Sequence, residues 1–376
     1  MKQRAGELVR IQRTAAGLTL EDLAEQAHVP METLMAAEAD RGGLTAAALD
    51  RLSYVLAIDP TALKEGRIQR RPTASLFFRQ GAFPDFREDE DRPVVAAAFD
   101  RALALLEITT LLRRPAGLRA RFEPEKPTPE AAMDGYRLAR RVRAALGNET
   151  DTIPDMALQL EDQFDILVRT EALTSRRIDA LSLKEAQTGA SVVILNTASE
   201  RRANPSTARV DLAHELAHVL FDPPNGEINI IVDEESDESR SVTHAERRAR
   251  AFSAELLMPV EGLRRLLGKP GYEMSKLQAL ELLDRARREF TTPVEIAVNH
   301  LVNREYVVHW LREPLIEHAR RAEPPRGAGA PQAPVVPRLD VLERRVLEAL
   351  ALGLISDGRA RELLGLSPWD EIPTAA

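Results

Sequence analysis

One short segment, RVDLAHELAHVLF at residues 209–221, constrains the fold more than any other part of the chain. Its apolar side chains recur at helical spacing, which predicts a half-buried helix. They are Leu212, Leu216, Val219, Leu220 and Phe221. In such a helix His214 and His218 stand one turn apart, so both imidazoles project from the same face. Two imidazoles on one face can close on a single tetrahedral metal ion.

The absence of cysteine narrows the chemistry of any metal site. With no Cys among 376 residues, disulfides, thiolate nucleophiles and Cys-based metal centres are excluded. A metal must be held by His and carboxylate side chains, a set that favours zinc, with manganese or iron as alternatives. Glu215 directly follows the first His, where its carboxylate can take a proton from a water on the metal. Because zinc lowers the pKa of that water from about 15.7 toward about 7, Glu215 is the candidate general base for attack on an amide carbonyl.

Such a site needs a third protein ligand, and the candidates lie downstream. They are Glu246, His244 and the acidic run from Asp233 to Glu238. We favour Glu246, because it lies in a predicted helix, AERRARAFSAELL, whose buried face carries Phe252. His244 sits just ahead of that helix and is the weaker candidate. The alternative is that the histidines are ordinary core or surface residues, since the bare motif also arises by chance.

The other histidines show no ligand spacing with one another. They are His28, His300, His309 and His318. We interpret them as hydrogen-bonded or exposed residues.

The first 65 or so residues show a different pattern, that of five short amphipathic helices. Thr19 precedes Asp22 by three residues, an N-cap arrangement close to a capping box. Pro30 suits the first turn of the next helix, METLMAAEAD. Over residues 7–65 the chain resembles the phage-repressor, or XRE-type, helix-turn-helix domain. The resemblance implies that the helix after Pro30 enters the major groove of DNA.

That helix departs from what DNA recognition requires. It offers Glu32, Glu38 and Asp40 and no Arg, Lys, Asn or Gln to base edges or phosphates. Dimerisation or docking of a protein partner therefore competes with DNA binding as the role of this module. The formal net charge of −8, from 51 basic and 59 acidic side chains, gives no global attraction to a phosphate backbone either.

Composition and patterning divide the chain into five regions. We expect a helix-turn-helix domain at 1–68, a helical connector at 69–150, a catalytic domain with C-terminal helices at 151–320, a Pro/Ala/Gly-rich linker at 321–338 and a small helical tail at 339–376. QFDILVR and SVVILN are β-rich runs, and GEINIIV is a third candidate strand. The expected fold class is α+β with helices in the majority.

No apolar signal-peptide core and no run of about 18 apolar residues is present in the sequence. We therefore expect a cytoplasmic chain with no membrane partner.

Residues 151–310 resemble the ImmA/IrrE family of metallopeptidases. The resemblance rests on three pieces in the same order as in that family, namely SVVILN, DLAHELAHVLF and ERRARAFSAELLMP. It implies a zincin-like catalytic domain in which His214, His218 and Glu246 hold the metal and Glu215 is the catalytic base. Family members often have His where this chain has Phe221-Asp222, and often a second Glu where it has Arg248.

Function follows from this resemblance. Members of the family commonly cleave or inactivate a partner transcriptional repressor, and some are fused to an XRE-type domain. The resemblance thus implies a zinc-dependent endopeptidase acting on a repressor-like protein in a stress, mobile-element or toxin-antitoxin circuit. The alternative is a DNA-binding regulator or antitoxin-like protein in which the metal site is structural or sensory. DNA binding through the N-terminal domain and homodimerisation stay open.

Overall fold

The structure, a computed structural model, describes residues 5–15, 18–39, 41–56, 63, 92–173, 176, 178–203, 206–223, 228–234, 243–270, 274–322, 339–367 and 370–373. It contains two compact units. The first combines Met1–Gln80, Glu107–Arg113 and Arg338–Ala376, and the second combines Gly81–Leu106 and Arg114–Pro337. The first unit thus includes segments from both ends of the chain.

The described residues are mostly helical, as expected of this α+β chain. The helices are α1 (Ala5–Ala15), α2 (Leu20–Gln26), α3 (Met31–Glu38), α4 (Ala46–Val55), α5 (Arg92–Leu111), α6 (Ala131–Leu146), α7 (Met156–Phe164), α8 (Thr207–Phe221), α9 (His244–Leu257), α10 (Val260–Leu267), α11 (Lys276–Phe290), α12 (Val294–Asn303), α13 (Arg312–Ala322), α14 (Leu339–Ala351) and α15 (Asp357–Leu364). The strands are β1 (Ile166–Glu171), β2 (Ile178–Glu185), β3 (Ser191–Asn196) and β4 (Ile228–Glu234).

In the first unit, α1 to α4 pack around a small apolar core. Its buried side chains include Leu8, Val9, Leu23, Leu34, Leu49, Leu52 and Leu63. The predicted capping box is confirmed: Asp22 N donates to Thr19 Oγ1 at 3.0 Å, and Thr19 N donates to Asp22 Oδ2 at 3.0 Å. The fifth predicted helix, near residues 61–66, lies outside the described residues except for Leu63.

The two C-terminal helices belong to this first unit. A Cβ at Gly358 would lie 2.8 Å from Asp50 Oδ1, so α15 packs closely on α4. Of the expected connector at 69–150, residues 69–91 lie outside the described residues, as do residues 323–338 of the expected linker at 321–338.

The sheet of the second unit has the strand order β1-β3-β2-β4. β1 pairs with β3 in parallel, and β2 pairs antiparallel with β3 on one side and with β4 on the other. The predicted strands at SVVILN and GEINIIV correspond to β3 and β4. QFDILVR is only partly a strand, since α7 runs to Phe164 and Asp165 turns the chain into β1.

The sequence did not predict β2, the strand in the middle of three antiparallel ones. Its first six residues are all buried, including Asp179 and Ser182, and the adjacent apolar residues Ala180 and Leu181 interrupt the alternation of apolar and polar residues. Without that alternation the segment lacks the usual strand signal.

The core of the second unit lies between this sheet and the helices α6 to α9. Every residue of α8 is buried, which makes it the central helix of the unit. A second cluster farther along the chain packs α10 to α13 around Phe290, Val298 and Leu301. Within the described residues, no helix combines the length and the apolar character needed to cross a membrane.

Candidate metal centre

Two adjacent helices bring the three predicted metal ligands together. His214 and His218 lie on α8, and Glu246 lies in the first turn of α9. The Nε2 atoms of the two histidines are 3.0 Å apart. Glu246 Oε2 lies 3.2 Å from His214 Nε2, and Glu246 Oε1 lies 3.3 Å from His218 Nε2. The arrangement therefore presents two imidazole nitrogens and one carboxylate to a common point.

Hydrogen bonds hold the first turn of each helix in place. The guanidinium of Arg209, in the first turn of α8, donates from Nη2 to Ile153 O at 2.6 Å and from Nη1 to Thr291 O at 3.0 Å. At the start of α9, Thr243 Oγ1 accepts from Glu246 N at 3.2 Å, an N-cap that sets the position of Glu246. A carboxylate in the first helical turn is also favoured by the helix dipole.

This donor set fits a single tetrahedral ion. Donors held at about 2.1 Å from tetrahedral zinc lie roughly 3.4 Å from one another. The three observed separations, 3.0, 3.2 and 3.3 Å, are close to that value. Two imidazoles and a carboxylate are a set that zinc commonly takes at catalytic sites, with a further position left for water or substrate.

The carboxylates around the two histidines favour a positive charge in this cluster. Burial alone would lower the pKa of His218, but hydrogen bonds and charge interactions with Asp222 and Glu246 outweigh it and raise that pKa well above its ordinary value. Burial alone would raise the pKa of Glu246, yet the hydrogen bonds and charges of His214 and His218 hold it far below its ordinary value. The side chains thus stabilise a cationic centre.

Glu215 lies next to this cluster in the chain and is completely buried. Since it follows His214 directly on α8, it belongs to the same helical turn as the first predicted ligand. A carboxylate excluded from bulk water interacts more strongly with nearby charge than an exposed one does. Its role as general base stays a prediction.

Among the side chains that the structure describes, the cluster consists of His214, His218 and Glu246 and does not include His244. His244 is exposed at the first position of α9. Asp233 and Glu234 lie at the end of β4, and residues 235–238 lie outside the described residues. Of the remaining histidines, His300 is buried with its Nε2 2.9 Å from Met258 O, and His28, His309 and His318 are exposed.

Two residues that sequence reasoning did not assign to the site contact it. Asp222, which ends α8, places Oδ2 at 2.7 Å from Nδ1 of His218. Arg248 of α9 donates to the other carboxylate oxygen of Asp222. His218 and Asp222 are four residues apart, about one helical turn, and this spacing could have predicted their contact from the sequence.

Comparison with known families adds to this geometry. Residues 161–301 match the family model of peptidase M78, described as the IrrE N-terminal-like domain. This domain is similar to an IrrE-type peptidase. The match runs from α7 to α12 and contains all three clustered side chains together with Glu215. It supports the ImmA/IrrE family and a metallopeptidase-type enzyme. No curated protein matches the chain.

Proposed function

We propose that this chain is a zinc-dependent endopeptidase that cleaves a protein partner. The observation that carries the proposal is the convergence of His214, His218 and Glu246 within 4.8 Å, inside the region that matches the M78 peptidase model. A sensory or structural metal site would need the same three ligands. It would not need a buried carboxylate at Glu215.

Each residue of the site has a distinct task. His214, His218 and Glu246 would hold the ion. When bound, zinc supplies Lewis-acid polarisation of the scissile carbonyl and lowers the pKa of a water to about 7. The carboxylate of Glu215 accepts the proton of the attacking water and then delivers it to the amine nitrogen that leaves. The two carboxylates thus have different roles in the proposal: that of Glu246 would bind the metal, and that of Glu215 would transfer the proton.

The substrate follows from the resemblance to ImmA/IrrE peptidases, whose members commonly cleave or inactivate a transcriptional repressor. We propose a repressor-like protein in a stress, mobile-element or toxin-antitoxin circuit as the partner. The XRE-type module at the N-terminus fits this role, because repressors often carry a domain of the same kind and could pair with it.

The exposed face of α3 supports docking of a protein rather than DNA. Met31 and Met35 are 41% and 47% exposed, and Glu32 is exposed beside them. The helix contains no cation to meet a phosphate. Strongly salt-dependent binding of duplex DNA by the intact chain would contradict this assignment.

Metal content tests the proposal directly. We expect about one zinc per chain in the protein purified from zinc-supplemented cells, because three ligands and an open position define one site. His214→Ala should lose that zinc, because two remaining ligands hold it poorly. His309→Ala, which removes an exposed histidine outside the cluster, should retain it. Equal zinc content in all three proteins, measured by elemental mass spectrometry, would contradict the site.

Co-expression identifies the substrate. Repressor-like proteins encoded near this chain are expressed with it in turn, and fragments are sought by intact-mass measurement. We expect one partner to be cut at a defined peptide bond by the wild type and to stay whole with Glu215→Gln.

A further inference from the structure

Asp222 lies between a predicted metal ligand and a buried arginine. One carboxylate oxygen is 2.7 Å from Nδ1 of His218, and the other accepts from Nη2 of Arg248. The second terminal nitrogen of Arg248 donates to the backbone carbonyl of Glu125. The side chains of His218 and Arg248 are 2% and 1% exposed, and that of Asp222 is 15% exposed. A buried path of hydrogen bonds therefore runs from His218 to the segment that precedes α6.

The two ring nitrogens of His218 face different groups. Nε2 points to His214 and Glu246, the other members of the cluster, and Nδ1 points to Asp222. A neutral imidazole carries one donor and one acceptor nitrogen. Both nitrogens of His218 face a carboxylate oxygen, Nδ1 that of Asp222 at 2.7 Å and Nε2 that of Glu246 at 3.3 Å. When a metal takes the lone pair of Nε2, the one proton of the neutral ring is on Nδ1, from which it is donated to Asp222.

We propose that Asp222 and Arg248 are positioning residues of the metal centre. Asp222 fixes the tautomer and the ring orientation of His218, and Arg248 fixes Asp222. The proposal rests on the metal site of the proposed function. It adds two residues that bind no metal themselves and set how tightly the metal is held.

Arg248 is suited to this task by its place on α9. It follows Glu246 by two residues, so one helix supplies both the third ligand and the counter-charge for Asp222. A guanidinium offers several donors in a fixed planar geometry, and Arg248 uses Nη2 for Asp222 and Nη1 for Glu125. The backbone nitrogen of Glu125 in turn donates to Phe221 O at 2.8 Å, at the end of α8. These bonds tie α8, α9 and the segment at Glu125 together around His218.

Asp222 and Arg248 could instead only hold α8 and α9 together, and that structural role predicts a different effect of their substitution on metal binding. Loss of a brace lowers the stability of the fold and leaves the intrinsic affinity for metal unchanged. Loss of a positioning carboxylate weakens metal binding even in a folded protein, because the imidazole can then rotate or change tautomer.

Zinc affinity of the full chain, measured by competition with a chromophoric chelator, separates the two. We expect Asp222→Asn to weaken zinc binding about 10- to 100-fold, the usual effect of losing such a partner. Arg248→Gln should weaken it less, because Asp222 itself stays in place. The double variant should weaken it by less than the product of the two effects, since both act through one hydrogen-bonded chain.

Asp179→Asn is the matched control. Asp179 is also a buried carboxylate of the second unit, but its oxygens accept from Ser199 and from Arg201. This variant should lose stability and keep wild-type zinc affinity. Weakening equal to that of Asp222→Asn would show a general effect of disturbing a buried ion pair, and would overturn the proposal.

Nitrogen-15 NMR of the zinc-loaded wild type tests the same point without a variant. We expect the proton of His218 on Nδ1 and the metal on Nε2. A proton on Nε2, or wild-type zinc affinity in a folded Asp222→Asn, overturns the positioning role while leaving the zinc site intact. Failure of the wild type to bind zinc at all overturns the proposed function as well, so the two failures are distinguishable.

Discussion

At the scale of single residues, Glu255 shows how a charge can be completely buried in this unit. Its Oε2 accepts from Nε of Arg304 at 3.0 Å and lies 3.3 Å from Nε2 of His300. Its Oε1 accepts from the backbone nitrogen of Val260 at 3.3 Å. The guanidinium of Arg304 lies over the ring of Tyr136, 3.8 Å from its centre. Because an unpaired buried charge is strongly destabilising, each of these groups depends on the others.

Glu255→Gln should therefore lower stability at neutral pH. The change leaves Arg304 without its counter-charge, for which we expect a cost of about 3–5 kcal/mol in the free energy of unfolding. Urea unfolding of the second unit, followed by far-ultraviolet circular dichroism at pH 7, measures this cost. Glu261→Gln, which removes a half-exposed carboxylate paired with Arg264, is the control and should change stability by less than about 1 kcal/mol.

The same pair predicts a pH dependence. Burial would raise the pKa of Glu255, but hydrogen bonds and charges from His300 and Arg304 outweigh it and lower that pKa below the ordinary value. A lowered carboxyl pKa contributes stability that is fully present above the unfolded value of about 4.3 and is lost as the pH falls through the folded value. The stability difference between wild type and Glu255→Gln should shrink on acidification below about pH 4. A constant difference would contradict this account.

At the scale of elements, the close approach of α6 and α9 sets the position of Glu246. A Cβ at Gly135 of α6 would lie 2.3 Å from the carbonyl oxygen of Arg248 and 2.8 Å from the backbone nitrogen of Phe252. Only glycine allows the two backbones to come this near. Since Arg248 and Glu246 share α9, the spacing of the two helices also fixes the position of Glu246, the third predicted ligand.

Gly135→Ala should thus destabilise the second unit although alanine is the better helix former. Helix propensity favours alanine by about 1 kcal/mol. Overpacking costs about 1–3 kcal/mol, and here the clashing atoms are backbone atoms of α9 that cannot swing aside. We expect a lower melting temperature together with weaker zinc binding. Met133→Ala, at a half-exposed position on the same helix, should change neither, and a raised melting temperature in Gly135→Ala would contradict the packing argument.

At the scale of the whole molecule, the features that depend on neighbouring residues could be predicted from the sequence, and the contacts between residues far apart in the sequence could not. Helical periodicity predicts α8 and α9, and the four-residue spacing predicts the His pair, because both depend on neighbours in the chain. Asp222 contacts Arg248, which is 26 residues away in the sequence, and Glu255 contacts Arg304, which is 49 residues away. No local sequence pattern predicts either pair. β2 lacks an unbroken alternation of apolar and polar residues, and the partner of its buried Asp179 is Arg201, which lies beyond β3 in the sequence.

Sequence patterns also do not show which segments of the chain pack into one compact unit. Composition predicts a small helical tail at 339–376 and gives no partner for it; the described helices α14 and α15 fall in one unit with α1 to α4. Packing between α15 and α4, at Gly358 and Asp50, is a contact between the two ends of the sequence. The predicted boundaries of the catalytic domain stay a prediction, and the family match at 161–301 lies inside them.

Peptide-bond hydrolysis at the clustered side chains, with Glu215 as the base, is tested by a comparison of cleavage rates. The identified partner is incubated with zinc-loaded wild type and with zinc-loaded Glu215→Gln, at equal measured zinc content. We predict that the variant keeps its zinc and loses about 10²- to 10⁴-fold in rate, the usual contribution of a general base. Wild-type cleavage by a zinc-loaded Glu215→Gln would contradict the account.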